Sequence, residues 1–364
     1  AYMSALAAHL EEIAPRTTMQ KVDTVYFGGG TPSYLGEKRL EQLMKLIDKR
    51  YRLDSRAEVT LECNPDSVGD WKELRKLRKA GFNRISLGVQ STDDEMLRRI
   101  GRVHNWQQVV DAVAAIRQAV FENLSLDLIY GLPGQTTEQW KETLATALAL
   151  EPQHMSCYGL KVEEGTPLWL KKDSCNLPDD DLQADMYLYA VDYLARNGYV
   201  QYEISNFAKE GFESRHNLRY WTLKEYAGFG PGAHSDMGGV RFAYEKDIDA
   251  YISGDLQLSE REEIDPMERD MEYIMLSLRT VQGIDLDWFA RQFRQKVDPM
   301  QALFAQYEAH GYAQRTERGY RLTPRGFYVS NSIIAALQEA MAEIKIRKIQ
   351  AQAQGDYRVE NLLR

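Results

Sequence analysis

Residues 84–136 read RISLGVQSTDDEMLRRIGRVHNWQQVVDAVAAIRQAVFENLSLDLIYGLPGQT, and this stretch decides the fold. Residues 84–89 form a short, mostly apolar run. Ser91-Thr92-Asp93-Asp94 then supplies side chains that accept from the free N–H groups at a helix start. Residues 106–119 repeat apolar side chains at helical spacing, and 124–129 form a second apolar run, closed by Gly131-Leu132-Pro133-Gly134. Two short strands separated by helices cannot make a tight hairpin. They form a βαβ unit, whose strands run parallel.

The same alternation extends in both directions. Upstream lie a helix over 2–13, with Met3, Leu6, Leu10 and Ile13 on one face, and a strand over 22–27 that runs into Gly28-Gly29-Gly30-Thr31-Pro32. A helix over 37–51, a strand over 57–62 ending in Cys63-Asn64-Pro65, and a helix over 70–80 follow. Downstream, a helix over 137–148 leads to a strand over 154–160. Polar and glycine-rich residues gather where strands end, the edge that carries ligands in β/α barrels. An open doubly wound sheet would place its ligand at a switch point instead. Recurrence at nearly every strand favours the barrel, and loss of the repeat after about residue 163 makes it incomplete.

The expected fold is therefore α/β: an incomplete (β/α) barrel over residues 15–235, followed by a mainly helical, winged-helix-like C-terminal domain. Domain limits are expected at 1–235, 236–340 and a polar tail over 341–364. After a helix over 179–195, the stretches 199–208, 213–221 and 225–235 read as long loops. Helices are expected over 266–278, 286–293 and 299–310, then two short strands and a helix within 311–337.

Composition narrows the function classes. The 364 residues hold 45 Lys and Arg against 54 Asp and Glu, a net charge of −9, which argues against a broad nucleic-acid footprint. The wing is accordingly expected to be a packing unit, with no nucleic-acid partner. No apolar run approaches the roughly 20 residues needed to span a bilayer. Three cysteines cannot build a disulfide framework, which points to a reducing, cytoplasmic setting.

The glycine loop is neither a Walker A loop nor a G-x-G-x-x-G fingerprint. Three glycines straight after a strand let the backbone approach a ligand, though a tight turn alone would also use them. Glu62, Gln90 and Asp127 sit at or near strand ends. The two carboxylates suit ribose hydroxyls or an ammonium, Gln90 suits either, and Arg102 suits a carboxylate. Cys63, Cys157 and Cys175 have no chelating spacing, and His154, His216 and His234 form no H-E-x-x-H pattern.

YFGGGTPSYL (26–35), LECNPDS (61–67), RISLGVQS (84–91), RIGRVH (99–104), DLIYGLPGQT (127–136), YEISNFA (202–208), HNLRYW (216–221) and GFGPGAHS (228–235) together resemble HemW. This is the radical-SAM family of haem chaperones, akin to the oxygen-independent coproporphyrinogen III oxidases. The likeness extends from residue 1 to about 340. H-N-x-x-Y-W distinguishes the chaperones from the oxidases, and His216, Asn217, Tyr220 and Trp221 satisfy it.

The resemblance implies a cofactor set. Gly28, Gly29, Gly30, Thr31 and Pro32 correspond to the loop that meets the methionyl amino group of S-adenosylmethionine. Glu62, Gln90, Arg102 and Asp127 correspond to its polar contacts, and the segment from Gly131 lies near the adenine. Haem is implied at His216, with Tyr220 and Trp221 beside it and His234 as rival ligand; a hydrogen-bonded structural corner is the alternative role for this motif. Haem-accepting partners are implied, with any membrane association peripheral and through a client, and the chain is expected to be a monomer or weak dimer.

One feature departs from the pattern. The family's C-x-x-x-C-x-x-C motif, which holds a [4Fe–4S] cluster, belongs ahead of the first helix, where this sequence starts. A missing front segment is the expected reason, and the chain as given is expected to be radical-inactive. The competing classes are a coproporphyrinogen oxidase, which HNLRYW weighs against, and a cluster-less binding protein.

Overall fold

The structure, a computed structural model, describes residues 1–353 apart from 18, 19 and 167. Of the expected tail, residues 354–364 lie outside the described residues. The chain divides into two compact units. The first comprises Ala1–Gln201, Ser205–Leu218 and Glu225–Glu262, and the second Tyr202–Ile204, Arg219–Lys224 and Glu263–Arg364.

Seven strands build the main sheet of the first unit: β1 (Lys21–Phe27), β2 (Arg52–Cys63), β3 (Arg84–Gln90), β4 (Asn123–Tyr130), β5 (His154–Gly159), β6 (Val200–Gln201) and β7 (Asn206–Ala208). Their order is β1-β2-β3-β4-β5-β7-β6. The first five pair in parallel, while β7 runs antiparallel to both β5 and β6. The result is an open, curled half-barrel flanked by helices, the expected partial (β/α) barrel.

Side-chain alternation explains how this sheet is solvated. Val59, Leu61, Ile85, Leu87, Val89, Leu124, Leu126, Leu128, Met155 and Cys157 are all buried on one face. The crossover helices contribute matching buried residues: Leu40, Leu43, Met44 and Ile47 from Glu37–Arg50, Leu74 and Leu77 from Trp71–Ala80, Val109, Val113 and Ile116 from Trp106–Gln118, and Trp140 and Leu144 from Thr137–Leu148. The alternate positions are polar: Thr24 and Tyr26; Glu58, Thr60 and Glu62; Arg84, Ser86 and Gln90; Ser125 and Asp127; His154 and Ser156. Parallel sheets are ordinarily apolar on both faces, so a polar inner face marks a ligand-bearing lumen.

The helix starts are fixed locally. Asp70, Asp93, Asn105, Thr136 and Asp179 each accept from N–H groups of the following turn, a contact worth about 1 kcal/mol apiece.

Two expectations need correction. The stretches 199–208 and 213–221 are not loops but carry β6, β7 and a helix, Arg215–Trp221. That helix is stabilised from far away, because the Glu58 carboxylate accepts from the backbone N–H groups of Arg215 and its neighbour His216, each at 3.0 Å. The helix expected over 266–278 breaks into a 3-10 turn, Pro266–Glu268, and a helix, Asp270–Ser277. The two short strands expected within 311–337 are present, and a third, Ile284–Asp285, joins them in one sheet.

In the first unit a second sheet joins β8 (His234–Met237), β9 (Val240–Tyr244) and β10 (Leu258–Glu263), in the order β10-β9-β8. The second unit is mainly helical. Its sheet joins β11 (Ile284–Asp285), β12 (Ala313–Arg315) and β13 (Gly319–Leu322) in the order β11-β13-β12. Phe304 stacks on Tyr320 with ring centroids 4.6 Å apart. Fully buried Asp270 pairs with Lys345 at 2.8 Å.

A buried histidine gives the first unit a pH response. His9 of the helix Tyr2–Ile13 is 1% exposed, with Nδ1 2.9 Å from the Tyr251 hydroxyl and its ring against Phe229 and Tyr244. Burial lowers its pKa, with Glu12 pulling partly back. The unfolded chain therefore takes the proton first, so this contribution to stability is complete above about pH 6.5 and falls as the pH drops below it. Melting curves should show Tm falling from pH 7 to 5.5, with a shallower slope in His9→Phe. An unchanged slope would remove His9 from the response.

Candidate functional site

The lumen opens into a cavity of about 260 Å³ within the first unit, lined by residues from β1 to β5 and by Asn217. Gly30, Thr31, Glu62, Gln90, Arg102 and Asp127 all line it.

Asp127 projects from β4 into a nest of hydroxyls. Its Oδ1 accepts from Ser125 at 2.9 Å and Ser156 at 2.6 Å, and its Oδ2 from Ser86 at 2.8 Å. Ser125 also meets His154 Nδ1 at 2.8 Å. Burial, then the charge of Arg84, lowers the His154 pKa well below the usual histidine value, so the imidazole stays neutral. Three hydroxyl donors fix the Asp127 carboxylate without neutralising it.

Glu62 closes the opposite wall. It accepts from the Tyr26 hydroxyl at 2.6 Å. Burial raises its pKa, the Tyr26 hydrogen bond opposes this, and Asp127 raises it further. Burial and the nearby Glu62 push the Tyr26 hydroxyl far above its ordinary value, so it remains a donor. Gly28 is required by this packing: a Cβ there would lie 2.5 Å from the Tyr26 ring and 2.9 Å from the Glu62 carboxyl. Asn64, after β2, donates to Thr31 Oγ1 at 2.9 Å and ties the glycine loop to the neighbouring strand end.

Gln90 ends β3 with φ of 65°, left-handed for a non-glycine residue, beside a register shift against β4. Such conformations are costly and concentrate at ligand sites. Gly88 leaves the space, since a Cβ there would stand 3.0 Å from the Gln90 side-chain nitrogen and 3.0 Å from Asn64 Oδ1. Burial lowers the Arg102 pKa, with Asp66 opposing it.

The remaining sequence candidates are arranged differently. Gly28 and Gly29 act behind the cavity wall through Tyr26 and Glu62. Gly131, at φ of 77°, faces Gln183 and is not a lining residue. His216 is half-buried on the helix Arg215–Trp221, its ring stacked on Tyr26 at 4.9 Å and its Nδ1 2.9 Å from Thr24 Oγ1. Tyr220 and Trp221 fall in the second unit, Tyr220 exposed. His234 is exposed at the start of β8.

Reasoning from strand ends overlooked Tyr26, Arg84, Ser86, Ser156 and Tyr158, all of which line the cavity. The available signal was period-two polarity within the strands, as in Arg84, Ser86, Gly88 and Gln90.

Residues 5–147 match the Radical SAM superfamily model, and 264–329 match the HemN C-terminal domain. The "Heme chaperone HemW" of Bacillus subtilis is 35% identical over 343 residues, covering 92% of this chain and 90% of that protein. The chain belongs to the HemW family. The Lactococcus lactis HemW is also 35% identical, covering 86% of this chain and 84% of its own. Among solved structures, the radical SAM enzyme coproporphyrinogen III oxidase (HemN) from Escherichia coli superposes with a TM-score of 0.80 at 23% identity, covering 93% of this chain and 82% of that one. That likeness establishes a shared fold, whereas the HemW relatives establish the family.

Proposed function

We propose that the cavity takes S-adenosylmethionine and that the protein works as a radical-SAM-type haem chaperone, passing haem as cargo to a haem-accepting partner in the cytoplasm. The observation that carries this reading is the convergence of Gly30, Thr31, Glu62, Gln90, Arg102 and Asp127, from four strand ends, on one polar cavity. The donor set suits the ligand. Glu62 and Asp127 accept from an ammonium or from ribose hydroxyls, Gln90 serves either role, and Arg102 meets a carboxylate. Two carboxylates in the walls also favour a cationic sulfonium. When bound, S-adenosylmethionine supplies an adenosyl group on cationic sulfur. Titration calorimetry with S-adenosylhomocysteine tests the assignment: one saturable site is expected, and no heat of binding would refute it.

The residues of this chain do not fit a [4Fe–4S] cluster. Cys63 and Cys157 are buried, and among the described residues no group of three His, Cys, Asp or Glu side chains is placed to hold a metal. The function assigned to this chain is therefore binding. Among the described residues no helix is long and apolar enough to cross a membrane.

For the cargo, the reading keeps His216 as iron ligand. Ligation through Nδ1 requires that nitrogen to give up its hydrogen bond with Thr24, a cost of about 1 kcal/mol. Such a cost suits exchangeable cargo. His216→Ala is expected to lower Tm by a few degrees and to abolish the Soret change seen on haem titration, while His234→Ala leaves both near wild type. Loss of the Soret change in His234→Ala alone would move the ligand there.

A further inference from the structure

Arg84 opens β3 at the floor of the cavity, six residues below Gln90 at its rim. It is 1% exposed and yet lines the cavity. Its Nε has no hydrogen-bond partner, and among the described residues no ion pair or hydrogen bond reaches its guanidinium. Its register neighbour on β2, Thr60, is fully buried, and the Thr60 hydroxyl is also without a partner.

The carboxylates of the cavity make their hydrogen bonds elsewhere, although the Arg84 charge reaches Glu62 and works to lower its pKa. Glu62 accepts from Tyr26, and Asp127 from three serines. His154, held neutral, supplies no negative charge. A buried guanidinium left unpaired is strongly unfavourable, and a fold that retains one beside an accessible cavity is poised for a ligand to complete it.

The shape of the group selects the ligand. A guanidinium is a planar fork of donors that matches a carboxylate with two parallel hydrogen bonds. A phosphate dianion would bring two negative charges toward Glu62 and Asp127, whereas a carboxylate brings one. At the rim, Arg102 is already available to the amino-acid end of the adenosyl ligand. We propose that Arg84 is the receptor for the carboxylate of a second small ligand, an organic acid bound on the cavity floor together with the adenosyl ligand. The assignment to a second ligand rests on the reading of the rim as the adenosyl site. The carboxylate chemistry of Arg84 does not.

The test uses the whole 364-residue chain, with sodium propionate as probe and sodium chloride at equal ionic strength as control. At ten times its Kd, propionate is expected to raise Tm by roughly 2 °C. Arg84→Met is expected to melt above wild type, because the unpaired charge is gone, and to lose the propionate response. S-adenosylhomocysteine and propionate are expected to bind together. An equal propionate response in wild type and Arg84→Met would overturn the proposal, as would no response in wild type. Competition between the two probes, with lost S-adenosylhomocysteine affinity in Arg84→Met, would assign the carboxylate to the adenosyl ligand and overturn the second-ligand claim. If Arg84→Met does not fold, Arg84→Lys carries the test: it keeps the charge without the fork, and propionate should bind at least fivefold more weakly. Undiminished binding there would overturn the proposal. Failure of S-adenosylhomocysteine to bind at all would refute the rim assignment and the second-ligand claim resting on it, while the propionate response still reads carboxylate binding by Arg84.

Discussion

Asp127→Asn is expected to weaken S-adenosylhomocysteine binding about thirtyfold while leaving Tm within a degree or two of wild type. The separation follows from the serine nest. Oδ1 accepts from Ser125 and Ser156, and an asparagine carbonyl placed there keeps both bonds. The amide nitrogen then faces Ser86, whose hydroxyl can turn to accept instead of donate. What disappears is the negative charge, and a hydrogen bond to a charged group is worth about 1.5–3 kcal/mol, or roughly a tenfold to hundredfold change in affinity. Asp127→Ala behaves differently, because it strands the buried hydroxyls of Ser86 and Ser156 and leaves Ser125 with His154 alone, and it should lower Tm by several degrees. Calorimetry beside melting curves checks both variants. Wild-type affinity in Asp127→Asn would remove this carboxylate from the ligand contacts.

The parallel core was legible because most crossovers announce themselves twice, by a capping residue such as Asp70 or Thr136 and by apolar spacing such as Val109, Val113 and Ile116; the helix Glu37–Arg50, which starts at Gly36 without a side-chain cap, shows only the spacing. The rim residues were legible because Glu62, Gln90 and Asp127 interrupt apolar runs where strands end. The helix Arg215–Trp221 was not, because its start depends on Glu58, more than 150 residues earlier, and no local pattern encodes that partner. For the same reason the sequence alone places His216 in a loop. Its surroundings, Thr24 and Tyr26, come from β1. Arg84 was passed over because a charged residue at a strand boundary looks like a solvated end. Only the inward alternation it shares with Ser86 and Gln90 tells against that.

Anaerobic reconstitution of this chain with iron and sulfide is expected to leave far fewer than four irons per molecule. A [4Fe–4S] cluster needs several thiolates converging within a few ångströms, supplied already deprotonated or at low cost. Cys63 and Cys157 lie on β2 and β5, with β3 and β4 between them. Three inter-strand spacings amount to roughly 14 Å along the sheet. Burial pushes the Cys63 thiol up to about 12, and burial with the nearby Asp127 raises Cys157 further, so both resist forming thiolates. Cys175 follows the turn Trp169–Ser174 and belongs to neither strand. Iron and acid-labile sulfide assays, with the charge-transfer absorption of the reconstituted sample, check the outcome. Four irons per chain would require Cys63 and Cys157 to leave the sheet, and a cluster assembled that way should lower Tm by removing two buried side chains from the first unit.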